Sequence, residues 1–331
     1  MPFYQAYFNP YSGQSFPGFF IQLFKRIGLA LKGEVGAADF VSDEIQIIIL
    51  LGVAASCALV GCFLVLRKTT MLANSLSHTI LLGIVIAFWL NQDGLLEEHT
   101  PINIKAMLLA ALLTGLATTF LTEFLTKVAR LQEDASIGIV FTSLFALGII
   151  LVTLLTRNAH IGTEVVMGNV DALHFDDFKL VYLVLAMNVA IFFLFFKEFK
   201  ITTFDPAFAK SLGIFPIFFG YLLMAQVSTT AIGAFRAVGV LMVLAFITGP
   251  VLTARLLTHD LKKMLFTSVA LGCLASIIGV ALSRHILSVF GTPLSTAGVV
   301  VCVIVAIFIL VLGYKQVILR IKNKKSAVTR L

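Results

Sequence analysis

Asn74 and His78 stand four residues apart within Leu66 to Phe88, a run that reads LRKTTMLANSLSHTILLGIVIAF. On a helix that spacing stacks them one turn apart on the same face, roughly 6 Å along the axis. An imidazole nitrogen and an amide oxygen are both able to ligate a metal ion. Neither belongs cheaply in an apolar segment, and intramembrane ionisable groups usually face a cavity or pathway rather than lipid. The competing reading is ordinary interhelical glue, since polar helix residues also bond across helix interfaces. A second polar interruption is Thr248-Gly249-Pro250, expected to break a later apolar run and to line a cavity or pack on a neighbouring helix. His160, His174, Asp171, Asp176 and Asp177 gather around one loop, where metal capture competes with a plain solvated surface. His259 beside Asp260 reads as a surface pair.

The elements that must carry these residues follow from composition. Of 331 residues, 59% are hydrophobic and only 12% charged, with a mean hydropathy of +1.02. That leaves too little polar surface for a soluble domain of this size. The expectation is an all-α polytopic membrane protein, because an open sheet cannot satisfy its backbone in lipid. Apolar runs near the span length of about 20 residues number nine: 45–66, 71–90, 104–126, 135–156, 179–196, 214–232, 237–256, 264–283 and 294–314. They form a transmembrane domain over 45–315, followed by a basic tail over 316–331. Residues 1–44 form an aromatic-rich extension, with eight aromatics between Phe3 and Phe20. In it Gln22, Lys25, Arg26 and Lys32 fall near one side of an apolar helix, a pattern suited to lying in the membrane interface. No basic-then-apolar leader is evident at the start of the sequence. Cys57, Cys62, Cys273 and Cys302 sit in apolar runs without zinc spacing and read as reduced, buried small hydrophobes.

Loop charge sets the orientation. One set of loops and the tail hold sixteen Lys and Arg, while the alternate set holds five, against seven acids. The basic set faces the cytoplasm by the positive-inside rule, which leaves the N-terminus outside. The net charge of +7 is therefore a topology signal and not a nucleic-acid patch. No Lys, Arg, Asp or Glu falls in the middle of a span, Glu123 coming nearest, and His78 is the one imidazole inside a predicted span.

The cytoplasmic stretch Thr203 to Ile214 predicts a short helix at about 204–213. Asp205 suits its N-cap, Pro206 its first turn, and Gly213 the left-handed residue that ends it. A short amphipathic helix between two spans is suited to docking in a groove of another protein, with Ala209 offered to that groove.

In chain order, LVLRKTTMLANSLSHTILLGIVIAF, EDASIGIVFTSLFALGIIL, GNVDAL, ITTFDPAFAKSLGI and AVGVLMVLAFITGPVLTARLL resemble the permease subunit of bacterial ABC importers for manganese, zinc and iron. The resemblance covers about residues 45 to 315. It implies a multi-pass protein of the bacterial inner membrane that dimerises as a homo- or heterodimer. It further implies two cytoplasmic ATP-binding subunits and a periplasmic metal-binding protein as partners. The chain would hold no cofactor, the divalent ion being its cargo. The family's GDALSH element aligns with Ala73 to His78, which places His78 on the metal path. Asn74 stands where the family usually has Asp, and Leu82 where it usually has Pro. Asn74 offers the ion only a neutral oxygen, so a partner permease is expected to supply the missing carboxylate. Asp205 to Gly213 matches the coupling helix, and Arg236 is a further departure at the outer mouth.

Two mechanisms remain at this point, a passive gate driven by a partner ATPase and a self-sufficient ion-coupled metal transporter. The absence of a GxxxxGK[ST] loop puts any ATP chemistry on another chain, and acidic coupling residues expected of the second class are missing from the spans. An intramembrane protease is disfavoured because Ser77 and His78 are adjacent, and helix neighbours do not face each other. Imidazole suits zinc, manganese and iron alike, so the sequence leaves the metal open.

Overall fold

The computed structural model describes residues 9–32, 40–90, 104–156, 170–173 and 175–328, apart from the side chains of some helical residues, Ser77 and Arg236 among them. His160 and His174 lie outside the described residues, and so does the side chain of Asp176. Twelve α-helices make up the described chain: α1 (Phe16–Leu31), α2 (Ser42–Arg67), α3 (Thr70–Leu90), α4 (Ile104–Lys127), α5 (Glu133–Thr156), α6 (Phe175–Leu194), α7 (Phe196–Phe204), α8 (Pro206–Ser211), α9 (Pro216–Val238), α10 (Val240–Leu257), α11 (Leu261–Phe290) and α12 (Thr296–Val328). A helix therefore stands at each of the nine expected spans. Eight of them are long and apolar enough to cross a membrane among the described residues, and α4 stands beside them as a 24-residue helix packed on α3, α5 and α9. Two boundaries differ from the sequence reading. α11 runs through Arg284 and His285 to Phe290, and α12 continues past residue 315 through most of the basic tail.

α2 is the central post, contacting α6, α7, α9, α10 and α11. Small residues permit that crowding. A Cβ on Gly61 would lie 2.1 Å from the Ile247 carbonyl oxygen of α10, and one on Gly249 would lie 2.3 Å from Ile304 of α12. Close approach through small residues is how helices gain packing energy where lipid removes the hydrophobic drive. The Thr248-Gly249-Pro250 sequence accordingly does not break its span: α10 is continuous from Val240 to Leu257. Proline's missing N–H costs one backbone bond, while the glycine before it admits the α12 side chain. α3, α4 and α5 pack on one another as a second group. They join the rest chiefly through α9, where Gly115 fits against Ser228.

A polar joint crosses the interior. Asn188 of α6, fully buried, donates to Thr230 Oγ1 of α9 at 2.7 Å and lies 3.5 Å from Ser56 Oγ of α2. Gln226, one turn before Thr230 and 1% exposed, has neither amide atom hydrogen-bonded. The cysteine expectation holds in part. Cys57 and Cys62 are buried and Cys273 half-buried, but Cys302 is exposed, on the outward side of α12. All four are free thiols.

Candidate functional site

The N-terminal turn of α2 and the C-terminal part of α11 meet through buried charges. Asp43 and Glu44 occupy the first turn of α2, where a helix favours negative charge, and both are buried. Arg284 of α11 binds Asp43 through Nε to Oδ1 at 2.8 Å and Nη2 to Oδ2 at 2.6 Å. The extension adds the rest. Asn9 Nδ2 donates to Asp43 Oδ2 at 2.6 Å, Tyr11 OH to Glu44 Oε1 at 2.8 Å, and Arg26 forms a two-pronged pair with Glu44. Burial together with the neighbouring Glu44 pushes the Tyr11 hydroxyl well above its ordinary range, so it stays a donor. Phe19 and Leu23 of α1 are buried, while Ile21 and Phe24 on its other side are exposed. Nearby, Asp171 accepts from Thr296 Oγ1 at 2.5 Å, where α12 begins. None of Asp43, Glu44 or Arg284 was singled out from the sequence. The available signals were the acidic pair opening an apolar run and the lone arginine just past another.

The α3 pair is built differently. Met71, Asn74 and His78 fall on one helix face by their spacing. Met71 is 59% exposed, Asn74 exposed and His78 half-buried. His78 is flanked by Phe141 and Phe145 of α5, with ring centroids at 5.2 and 5.5 Å. Those rings support one side of the imidazole, and among the described residues no three of His, Cys, Asp and Glu converge. The structure thus brings Asn74 and His78 onto one open edge of the α3–α5 group. Thr248 is not part of that edge. It lies on α10, half-buried, and its hydroxyl is used by the Leu244 carbonyl at 2.8 Å.

Between α7 and α9 the short helix forms as expected. Asp205 caps α8 by accepting from Phe208 N at 2.9 Å, with Pro206 at the first position. Gly213 takes φ +77°, and the bonds from Gly213 N to Lys210 O and from Ile214 N to Ala209 O, both 3.0 Å, close the helix in a Schellman turn. Ala209, however, is fully buried within the chain. It points back toward the bundle because α8 packs on α7 and α9, so the outward side belongs to Phe204, Phe208 and Leu212, each more than half exposed. α7 is keyed into the bundle from above. Phe199 sits among Phe63, Phe192 and Phe219 at 5.1 to 5.5 Å between ring centroids. Arg67, at the end of α2, donates to Thr202 and Thr203 at 3.0 and 3.1 Å. The α7–α8 segment is thereby tied to three long helices, α2, α6 and α9.

Comparisons with known proteins agree with this architecture. The model of the ABC 3 transport family matches residues 39–315. A probable metal transport system membrane protein of Chlamydia muridarum is 40% identical over 304 residues, covering 92% of this chain and 94% of its own. The manganese transport system membrane protein MntD of Bacillus subtilis is 37% identical, covering 69% of this chain and 78% of its own. Zinc and iron transport system membrane proteins are also among the relatives. The solved structure of PsaBC from Streptococcus pneumoniae in complex with Fab superposes with a TM-score of 0.70 at 26% identity, covering 88% of this chain and 95% of that one. A helix order and an all-helical bundle that agree over almost the whole length leave one assignment: the chain belongs to the ABC 3 transport family, as a multi-pass, non-catalytic membrane permease of bacterial ABC metal uptake.

Proposed function

We propose that this chain forms one half of the gated path by which a divalent transition metal ion enters the cell, with a cytoplasmic ATP-binding subunit driving it and an external metal-binding protein delivering the cargo. The observation that carries the reading is the open Met71–Asn74–His78 face of α3. A polar, imidazole-bearing face at membrane depth is costly against lipid, and a second permease placed against it would cover it. That second subunit would supply the further ligands an ion needs beyond one imidazole and one amide. The names of the relatives carry manganese, zinc and iron, and imidazole ligation suits all three. α8 is the coupling helix in this reading, docking through Phe204, Phe208 and Leu212 while Ala209 anchors it from within. A self-sufficient ion-coupled transporter is the lesser reading, because the described spans lack the acidic coupling residues that class uses.

The test is co-purification and turnover of the assembled complex. Phe208→Glu should remove the ATPase from the tagged permease and bring uptake to background while the permease still inserts and folds. Retention of the ATPase by that variant would contradict the docking face, and metal uptake without any ATPase would contradict the importer itself.

A further inference from the structure

A half-open cleft of about 370 Å³ lies at the cytoplasmic end of the bundle, between the α2–α3 turn, α4, the start of α5 and α9. Its walls include Leu72, Pro216, Ile217 and Met224, and its charged groups come from separate elements. On one wall is Arg67, whose Nε and Nη2 are committed to Thr203 and Thr202. Its remaining nitrogen, Nη1, stands over Gly220, 3.7 Å from where a Cβ would be. Thr69 is on the same wall, with a buried hydroxyl that has no hydrogen-bond partner among the described residues. The opposite side carries Glu123, held by Lys127 and Tyr221, and the exposed Glu133, for which no hydrogen bond or ion pair is found among the described residues. The lips of the cleft are apolar on the α9 side, where Pro216 stands beside Ile217, which is about half exposed.

Separated charges of opposite sign above apolar lips, at the depth where cytoplasmic headgroups lie, complement one kind of molecule. We propose that this cleft binds a zwitterionic phospholipid of the inner leaflet that carries a primary amine, of the phosphatidylethanolamine type. The phosphate is held by Arg67 Nη1 and the Thr69 hydroxyl, the ammonium by the Glu133 carboxylate, and the first methylenes of the acyl chains lie along Leu72, Pro216 and Ile217. A purely anionic headgroup fits less well, because Glu123 and Glu133 balance Arg67 and Lys127. A choline headgroup has no N–H to donate to Glu133. Basic and polar pockets between spanning helices on the cytoplasmic side are where lipid headgroups are recognised. This inference is independent of the metal path, since lipid retention is read without transport.

The experiment uses the full chain purified in detergent, stripped of lipid, then given dioleoyl-phosphatidylethanolamine, -phosphatidylcholine or -phosphatidylglycerol and examined by native mass spectrometry. Phosphatidylethanolamine should be retained about tenfold over the other two, a difference well resolved as an affinity ratio. Glu133→Gln, an exposed change that leaves packing alone, should abolish the preference for phosphatidylethanolamine over phosphatidylcholine. Gly220→Leu, filling the space beside Arg67, should reduce retention of every lipid, with circular dichroism confirming an intact helical bundle. Equal retention of the three lipids by the unaltered chain, or an undiminished preference in Glu133→Gln, overturns the proposal. So does a structure of the assembled complex in which protein fills the cleft.

Discussion

The N-terminal turn of α2 and the N-terminal half of α3 both put polar groups inside an apolar chain, and they treat them in opposite ways. Asp43 and Glu44 are closed in on every side: each carboxylate meets an arginine, and Asn9, Tyr11 and the Val41 N–H take further lone pairs. His78 leans on two phenylalanine rings and keeps an open side. Burying a charge is tolerable only when it is paired and hydrogen-bonded, so the first arrangement is a joint that can do little but hold. The second leaves one side of the imidazole uncovered within the chain, as the proposed contact with an ion would require. The comparison separates residues closed into the bundle from residues that the proposed path would use.

The comparison breaks most violently at Arg284. Arg284→Ala leaves the Asp43 carboxylate buried without its partner, a change worth about 3–5 kcal/mol. Thermal unfolding in detergent should show a large fall in midpoint, and adding Asp43→Asn should recover part of it. An unchanged midpoint would mean the pair does not hold α2 to α11. A smaller effect is expected from Tyr11→Phe, which removes a hydrogen bond to a charged group, about 1.5–3 kcal/mol. Its signature is local, with residues 9–32 becoming open to protease before the bundle melts. Equal protease resistance would show that α1 is held by its apolar face alone. Smallest of all is Gln226→Leu. Its amide is buried and unbonded, so an apolar replacement should shift stability by less than about 1 kcal/mol or raise it. A loss as large as that of Arg284→Ala would mean Gln226 has a partner in another state of the protein.

Much of this was legible in the sequence, for reasons that differ by region. Span positions follow from hydropathy because lipid leaves a chain few alternatives. The α8 cap, from Asp205 and Pro206 to Gly213, was readable because capping is local chemistry. Ala209 was not: which side of a six-residue helix faces inward depends on α7 and α9, not on the helix itself. The same holds for Thr248, whose hydroxyl turned to its own backbone, and for the Gly249-Pro250 step that remains helical. The Asp43–Arg284 pair joins residues 241 apart in sequence, a distance no spacing rule spans. Asn74 and His78 were found by their four-residue spacing, but only the fold shows that α5 walls one side and leaves the other open.

The central claim is that the open face of α3 is on the ion's route. Asn74→Asp should sharpen it: restoring a charge beside His78 should tighten metal retention and slow release. The most direct measurement is radiometal uptake by the assembled transporter carrying His78→Ala. The account predicts uptake at background, with membrane insertion, thermal midpoint and ATPase association all unchanged. Uptake at the unaltered rate would contradict it, and would return His78 to the ordinary role of a polar residue packed between helices.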